Sequence, residues 1–201
     1  MHPSLTYASE YQGLPINTGW NGDLPCRADI LEALRLRFMR ALRDHSKVLM
    51  MRLDLAVPMS IDHNTAHTAF VNNFMASFAK HLRRRRLDPH YVWVCEMSSN
   101  GFLHYHLVVA LDGNRTWSIF HHMQAAERLW ARTMGVPESA GLVDRCNNRS
   151  EGQLGNGIMI RRGAEDFQEK LRATFYRCSY LAKTSQKSGV PKTFGHSELK
   201  S

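Results

Sequence analysis

Apolar residues recur along this chain with two different periods. Ile30, Leu31, Leu34, Phe38 and Leu42 return to one side at helical spacing and predict a helix from Asp29, a capping residue, to about residue 43. KVLMMRLDLAVP predicts a buried strand ending at Pro58. Asp62 then opens a long helix with Ala66, Phe70, Phe74, Phe78 and Leu82 on its stripe and Arg83 to Arg86 at its end. HYVWVCEM and FLHYHLVVAL predict two strands separated by Ser-Ser-Asn-Gly. A further helix is expected over about 116–134 on Trp117, Phe120, Met123, Leu129 and Trp130. GLVD and GIMIRR read as short strands in a Gly- and Asn-rich stretch, and a last helix runs from about Ala164 to Gln186. From Lys47 the order is β-α-β-β-α-β-α. It predicts an α+β fold, a central, largely antiparallel sheet with flanking helices. Residues 1–25, rich in Gly, Pro, Asn and Ser, read as an irregular arm, and 26–201 as a single domain.

Composition narrows the class. With 43% hydrophobic and 22% charged residues in 201, the chain can bury a core and falls outside the disordered range. No apolar run approaches the roughly 20 residues needed to cross a bilayer. The first residues, MHPSLTYASEYQ, lack the charged and apolar regions of a signal peptide. Cys26, Cys95, Cys146 and Cys178 show no C-x-x-C spacing, so the expectation is a cytoplasmic protein with reduced thiols. The net charge of +8 calls for an anionic partner without distinguishing nucleic acid from a membrane surface.

VWVCEMSSNGFLHYHLVVAL carries the most chemistry. His104 and His106 lie two apart on a strand, so both imidazoles leave the same face. Two convergent imidazoles suit a divalent metal, and Glu96 on the preceding strand is the candidate third donor. A two-residue turn would put Glu96 on the wrong face. A three-residue loop, Ser99-Asn100-Gly101 with Gly101 left-handed, pairs it with His104. Two imidazoles and a carboxylate leave coordination positions open, and Mg²⁺ or Mn²⁺ suits phosphate oxygens. Without the glutamate, a pair of sheet histidines bonded to their neighbours would explain the pattern as well.

On the last helix, Phe167, Leu171, Phe175, Cys178 and Ala182 form the apolar stripe, while Tyr176, Tyr180 and Lys183 share another side. Two tyrosines beside a lysine fit a nucleophile array, since a nearby cation favours the phenolate. Simple packing at a helix edge is the plainer reading of the tyrosines by themselves.

These residues together resemble the HUH-type initiators of rolling-circle replication. Glu96, then His104-Tyr105-His106 between apolar residues, then Tyr176-Arg-Cys-Ser-Tyr180-Leu-Ala-Lys183 are similar to the family's metal and Y-x-x-x-Y-x-x-K motifs. SYLAKT and the closing FGHSELKS resemble YagK/YfjJ-type prophage proteins and inovirus-type initiators. The resemblance runs from about residue 47 to the end and implies a nickase and strand-transferase for single-stranded origin DNA. A metal on Glu96, His104 and His106 would polarise the scissile phosphate. Tyr180 or Tyr176 would attack to leave a 5′-phosphotyrosine and a free 3′-hydroxyl, and Lys183 would offset the developing charge.

The family's first motif usually carries Thr-rich strands; here Arg52 and Asp54 share that strand face. A buried ion pair, a phosphate contact and an auxiliary metal ligand all fit them. Arg83, Arg84, Arg85, Arg86 and Lys187 are candidate DNA contacts, as are the arm and the arginines of the first helix. No G-x-x-x-x-G-K-[ST] occurs, so unwinding would come from a host helicase or supercoiling, and a host polymerase would extend the product. Two other readings compete. One is an RRM-like module or prophage regulator that binds single strands without cleaving them, stacking bases on Tyr91, Trp93 or Tyr105. The other is a metal hydrolase that uses water.

Overall fold

The computed structural model describes residues 4–61, 67–138, 141–147, 155–184 and 193–199. Four two-residue strands lead in: β1 (Leu5–Thr6), β2 (Glu10–Tyr11), β3 (Leu14–Pro15) and β4 (Cys26–Arg27). Then follow α1 (Ala28–Asp44), β5 (Lys47–Ala56), α2 (His67–Arg84), β6 (His90–Met97), β7 (Leu103–Asp112) and α3 (Phe120–Met134). The chain continues through β8 (Val143–Asp144), β9 (Ile158–Arg161), α4 (Phe167–Cys178), a 3-10 turn at Ser179–Ala182 and β10 (Phe194–His196). The six-stranded antiparallel sheet has the order β10-β6-β7-β5, with β8 and β9 both paired to the free side of β5. Asn156 fills the gap between β8 and β9. Its side-chain oxygen accepts the Arg52 N–H at 2.8 Å and its amide donates to the Arg52 carbonyl at 2.6 Å, as a strand would.

Alternation along the strands divides the core in two. Leu49, Met51, Leu53 and Leu55 of β5, with Trp93, Cys95, Tyr105 and Leu107, pack under α2 and α3. There Trp130 lies edge-on to Phe74 and Tyr105 and donates its indole N–H to the Ala56 carbonyl at 2.8 Å. Val48, Met50, Val92, Val94, Val108 and Ala110 point the other way, under Phe38 of α1 and Phe175 of α4. On this second face the apolar run stops partway. Arg52 and Asp54 continue the line of Val48 and Met50, Glu96 that of Val92 and Val94, and His104 and His106 precede Val108 and Ala110. One face therefore serves as core at one end and as a polar floor at the other.

Three elements differ from the sequence reading. α1 starts one residue early, so Asp29 sits in its first turn, where its carboxylate accepts the Ile30 N–H and pairs with Arg27. Trp117 lies ahead of α3 and is 86% exposed, since the helix starts at Phe120, whose N–H donates to Ser118 Oγ. The last helix ends at Cys178 and tightens into the 3-10 turn. Ser179 Oγ donates to the Tyr176 carbonyl at 2.7 Å and accepts the Asn17 N–H at 2.8 Å, while Cys26 bridges Lys183. The arm that the sequence leaves irregular thus forms two short ladders, β1 with β4 and β2 with β3, and buries Leu14 and Ile16 against α1 and α4. Asp62 and Ala66 lie outside the described residues.

Candidate active site

The hairpin register is the one that the three-residue loop requires. Glu96 pairs with His104, Ser98 N–H donates to the Phe102 carbonyl, and Gly101 takes φ +78°. Glu96 and His104 are therefore side by side, with His106 one step further along the same face. Glu96 Oε2 lies 3.5 Å from His104 Nε2 and 3.2 Å from His106 Nε2. Donors about 2.0–2.1 Å from a shared tetrahedral ion stand roughly 3.3 Å from one another, so this group has the spacing of a metal's ligands. Glu96 is 4% exposed and His106 8%, while His104 opens to solvent.

Asp54, from the neighbouring strand, sets the state of His106. Its Oδ1 is 2.7 Å from His106 Nδ1, and its Oδ2 accepts from Arg52 Nη2 at 3.1 Å. Burial pulls the His106 pKa down, but its hydrogen bonds to the Asp54 and Glu96 carboxylates outweigh it and raise the value above that of a free imidazole. The opposite holds for Asp54. Burial raises its pKa, and the bond to His106, with Arg52 beside it, brings the value below the ordinary carboxylate range. A neutral imidazole has one N–H. With that proton given to Asp54, the Nε2 lone pair faces a Glu96 oxygen, and only a proton or a cation relieves that contact. The donor set therefore fits a divalent ion, held by Glu96, His104 and His106 with Asp54 as the outer support. Asp54 is not one of the three clustered donors.

Tyr180 stands over this floor. Its ring is edge-on to His106, with 6.3 Å between centroids, and two cations approach its face: Lys183 Nζ at 4.3 Å and the Arg52 guanidinium at 5.1 Å. Lys183 is buried, and its desolvation shifts the ammonium pKa below the usual lysine value. Beneath them the fully enclosed Cys178 thiol is pushed up to about 12, leaving it a neutral packing group. Tyr180 is 37% exposed, reachable yet anchored. Tyr176 sits on α4, 42% exposed, and makes no ring contact with the cluster among the described residues. The two tyrosines, expected on one helical face, are separated by the change from α to 3-10 geometry between them.

The basic residues do not converge on this site. Arg83 and Arg84 end α2 on the opposite side of the sheet, Arg85 and Arg86 lie in the turn after it, and all four precede β6, whereas Glu96 lies near the far end of β6, roughly 20 Å along the strand. Arg35 pairs with Glu32 and Arg40 with Asp44, while Arg37 is buried on the Ser197 carbonyl and His196. Among the described residues, Arg52 is the candidate DNA contact that lines the cluster. Lys187 lies outside the described residues. The sequence reading missed the arm's grip on the 3-10 turn through Asn17 and Cys26, because nothing local signals a contact across 162 residues.

A carboxylate and two imidazoles grouped on an antiparallel sheet, with a cation-flanked tyrosine above them, define an α+β protein with a candidate metal centre and an adjacent candidate nucleophile. The chain belongs to the YagK/YfjJ C-terminal domain family, whose model matches residues 10–197. No curated protein sequence matches it. Among solved structures it is similar to the N-terminal nuclease domain of minute virus of mice non-structural protein 1. That likeness has 8% identity over 84% of this chain and 90% of that one, with a TM-score of 0.45. It is also similar to the catalytic domain of the adeno-associated virus type 5 Rep protein, at 10% identity over 65% and 97% of the two chains and a TM-score of 0.29. At these identities and scores the likenesses carry no functional information about this chain. Among the described residues no helix is long and apolar enough to cross a membrane.

Proposed function

We propose that this protein is a metal-dependent, site-specific nickase and strand-transferase for single-stranded DNA, which starts rolling-circle replication of a phage, plasmid or mobile element at its origin. The observation that carries the reading is Tyr180, set edge-on to His106 at 6.3 Å with Lys183 and Arg52 over its ring. Mg²⁺ or Mn²⁺ on Glu96, His104 and His106 would act as a Lewis acid on the scissile phosphate. Tyr180 Oη attacks phosphorus and the bond to the 3′-oxygen breaks. The departing oxygen takes up a proton, the phenolic proton is released, and a 5′-phosphotyrosine and a free 3′-hydroxyl remain. Lys183 and Arg52, both set against the Tyr180 ring, offset charge on the reacting phosphate. Tyr176, one turn earlier and exposed, is left for a second, resolving attack. A host helicase opens the duplex, a host polymerase extends the 3′-end, and the work is done in the cytoplasm.

The non-catalytic reading is weakened, since Trp93 and Tyr105 are buried in the core under α2 and α3 and of its three stacking residues only Tyr91 is partly exposed. The test is single-stranded origin DNA with Mn²⁺ and denaturing electrophoresis. Wild type should form a covalent adduct that a chelator abolishes, Tyr180→Phe should lose it by roughly 100-fold or more, and Tyr176→Phe should keep the first cleavage. Absence of any adduct overturns the proposal. Cleavage that survives loss of both tyrosines means water is the nucleophile.

A further inference from the structure

A second group of metal-binding side chains lies at the other end of the same sheet. His90 opens β6 six residues before Glu96, roughly 20 Å away. It is 7% exposed, and neither ring nitrogen has a hydrogen-bond partner among the described residues. A buried imidazole with donor and acceptor both unanswered is unfavourable and calls for an explanation. His90 Nε2 lies 3.6 Å from Asp88 Oδ2, and the Asp44 carboxylate at the end of α1 completes a trio whose ligand atoms all lie within 4.8 Å of one another. Asp88 is itself held. His45 Nε2 is 3.0 Å from its Oδ2, and His45 Nδ1 reaches toward Asp112 Oδ1 at 3.6 Å. Asp44 also accepts from Arg40 and Arg43, but a carboxylate offers about four lone-pair directions and keeps some free.

We propose that His90, Asp88 and Asp44 form a second metal site, for a borderline divalent cation of the zinc class. One imidazole and two carboxylates suit the mixed nitrogen and oxygen coordination of such an ion. His45 is the outer partner that orients Asp88 between the metal and Asp112. The ion ties the end of α1 to the turn before β6 and answers the buried His90. It stands far from Tyr180, so its role is structural and independent of the nicking reading.

The test uses tag-free protein carrying Glu96→Gln, His104→Gln and His106→Gln, stripped by chelator and titrated with Zn²⁺ alone. Calorimetry should show one equivalent bound, and thermal unfolding a Tm raised by several degrees at saturating Zn²⁺. Adding Asp88→Asn, at a position 47% exposed where the fold tolerates change, should weaken binding at least ~10-fold and remove the Tm rise, with an unchanged circular dichroism spectrum. His90→Asn should do the same. If the front-site variant binds no Zn²⁺, or binds it equally after both further substitutions, the proposal is wrong. In the otherwise native protein Asp88→Asn should leave DNA cleavage intact, which separates failure here from failure of the nickase reading.

Discussion

His106 is the residue on which the site turns. It is bracketed by Asp54 at 2.7 Å and Glu96 at 3.2 Å, so its two nitrogens have different tasks: one is anchored and the other is offered to the cluster. Substituting Asp54→Asn leaves the shape but removes the charge that fixes the tautomer. Metal affinity at the front site should fall by about 10–100-fold, read as a shift in the Mn²⁺ concentration that half-saturates cleavage. Of the readings open for Arg52 and Asp54, the ion pair is formed, at 3.1 Å. Asp54 supports a histidine and Arg52 faces Tyr180, a division of labour that identical spacing on one strand face does not reveal.

Among the elements, β10 shows how closely the sheet edge is fitted. Gly195 pairs with Trp93, and a Cβ at Gly195 would stand 2.6 Å from the indole ring. Gly195→Ala should cost about 1–3 kcal/mol through overpacking, seen as a Tm lowered by several degrees in thermal unfolding. That strand had no legible signal, since three residues with one glycine carry no period. The hairpin of β6 and β7 was legible because alternation, a glycine-ended loop and a paired glutamate all demand one register. The helices α1, α2 and α3 were legible from their stripes, with α3 beginning a few residues later than expected, at Phe120. The end of α4 was not legible. Its apolar stripe runs on through Ala182, so periodicity favours continuing the helix, and a side-chain bond to Asn17 from the other end of the chain overrides it.

Across the molecule, the excess of positive charge is less available than its total implies. Arg27, Arg35, Arg40, Arg52, Arg145, Lys170 and Arg172 all have carboxylate partners within the fold. Among the described residues, Lys183 and Arg52 are the cations set against Tyr180, and Arg83 to Arg86 lie about a strand's length from the donor cluster. Binding of a short single strand should therefore weaken only gently with salt, at about 0.7 in log K per log salt for each contact. Neutralising Arg83 to Arg86 should leave that slope unchanged for a short oligonucleotide. A slope that falls would place the bound strand at α2, and fluorescence anisotropy across a salt series distinguishes the two.

The link of Cys26 and Asn17 to Lys183 and Ser179 has a consequence for the order of events during synthesis. The metal-type donors come from a hairpin and its neighbour, complete once about half the chain exists. Tyr180 reaches them only after the last quarter has emerged and docked on a segment made at the very start. A nascent or truncated chain can thus assemble the three-donor floor without its tyrosine, and the two parts of the candidate site meet only in the finished molecule.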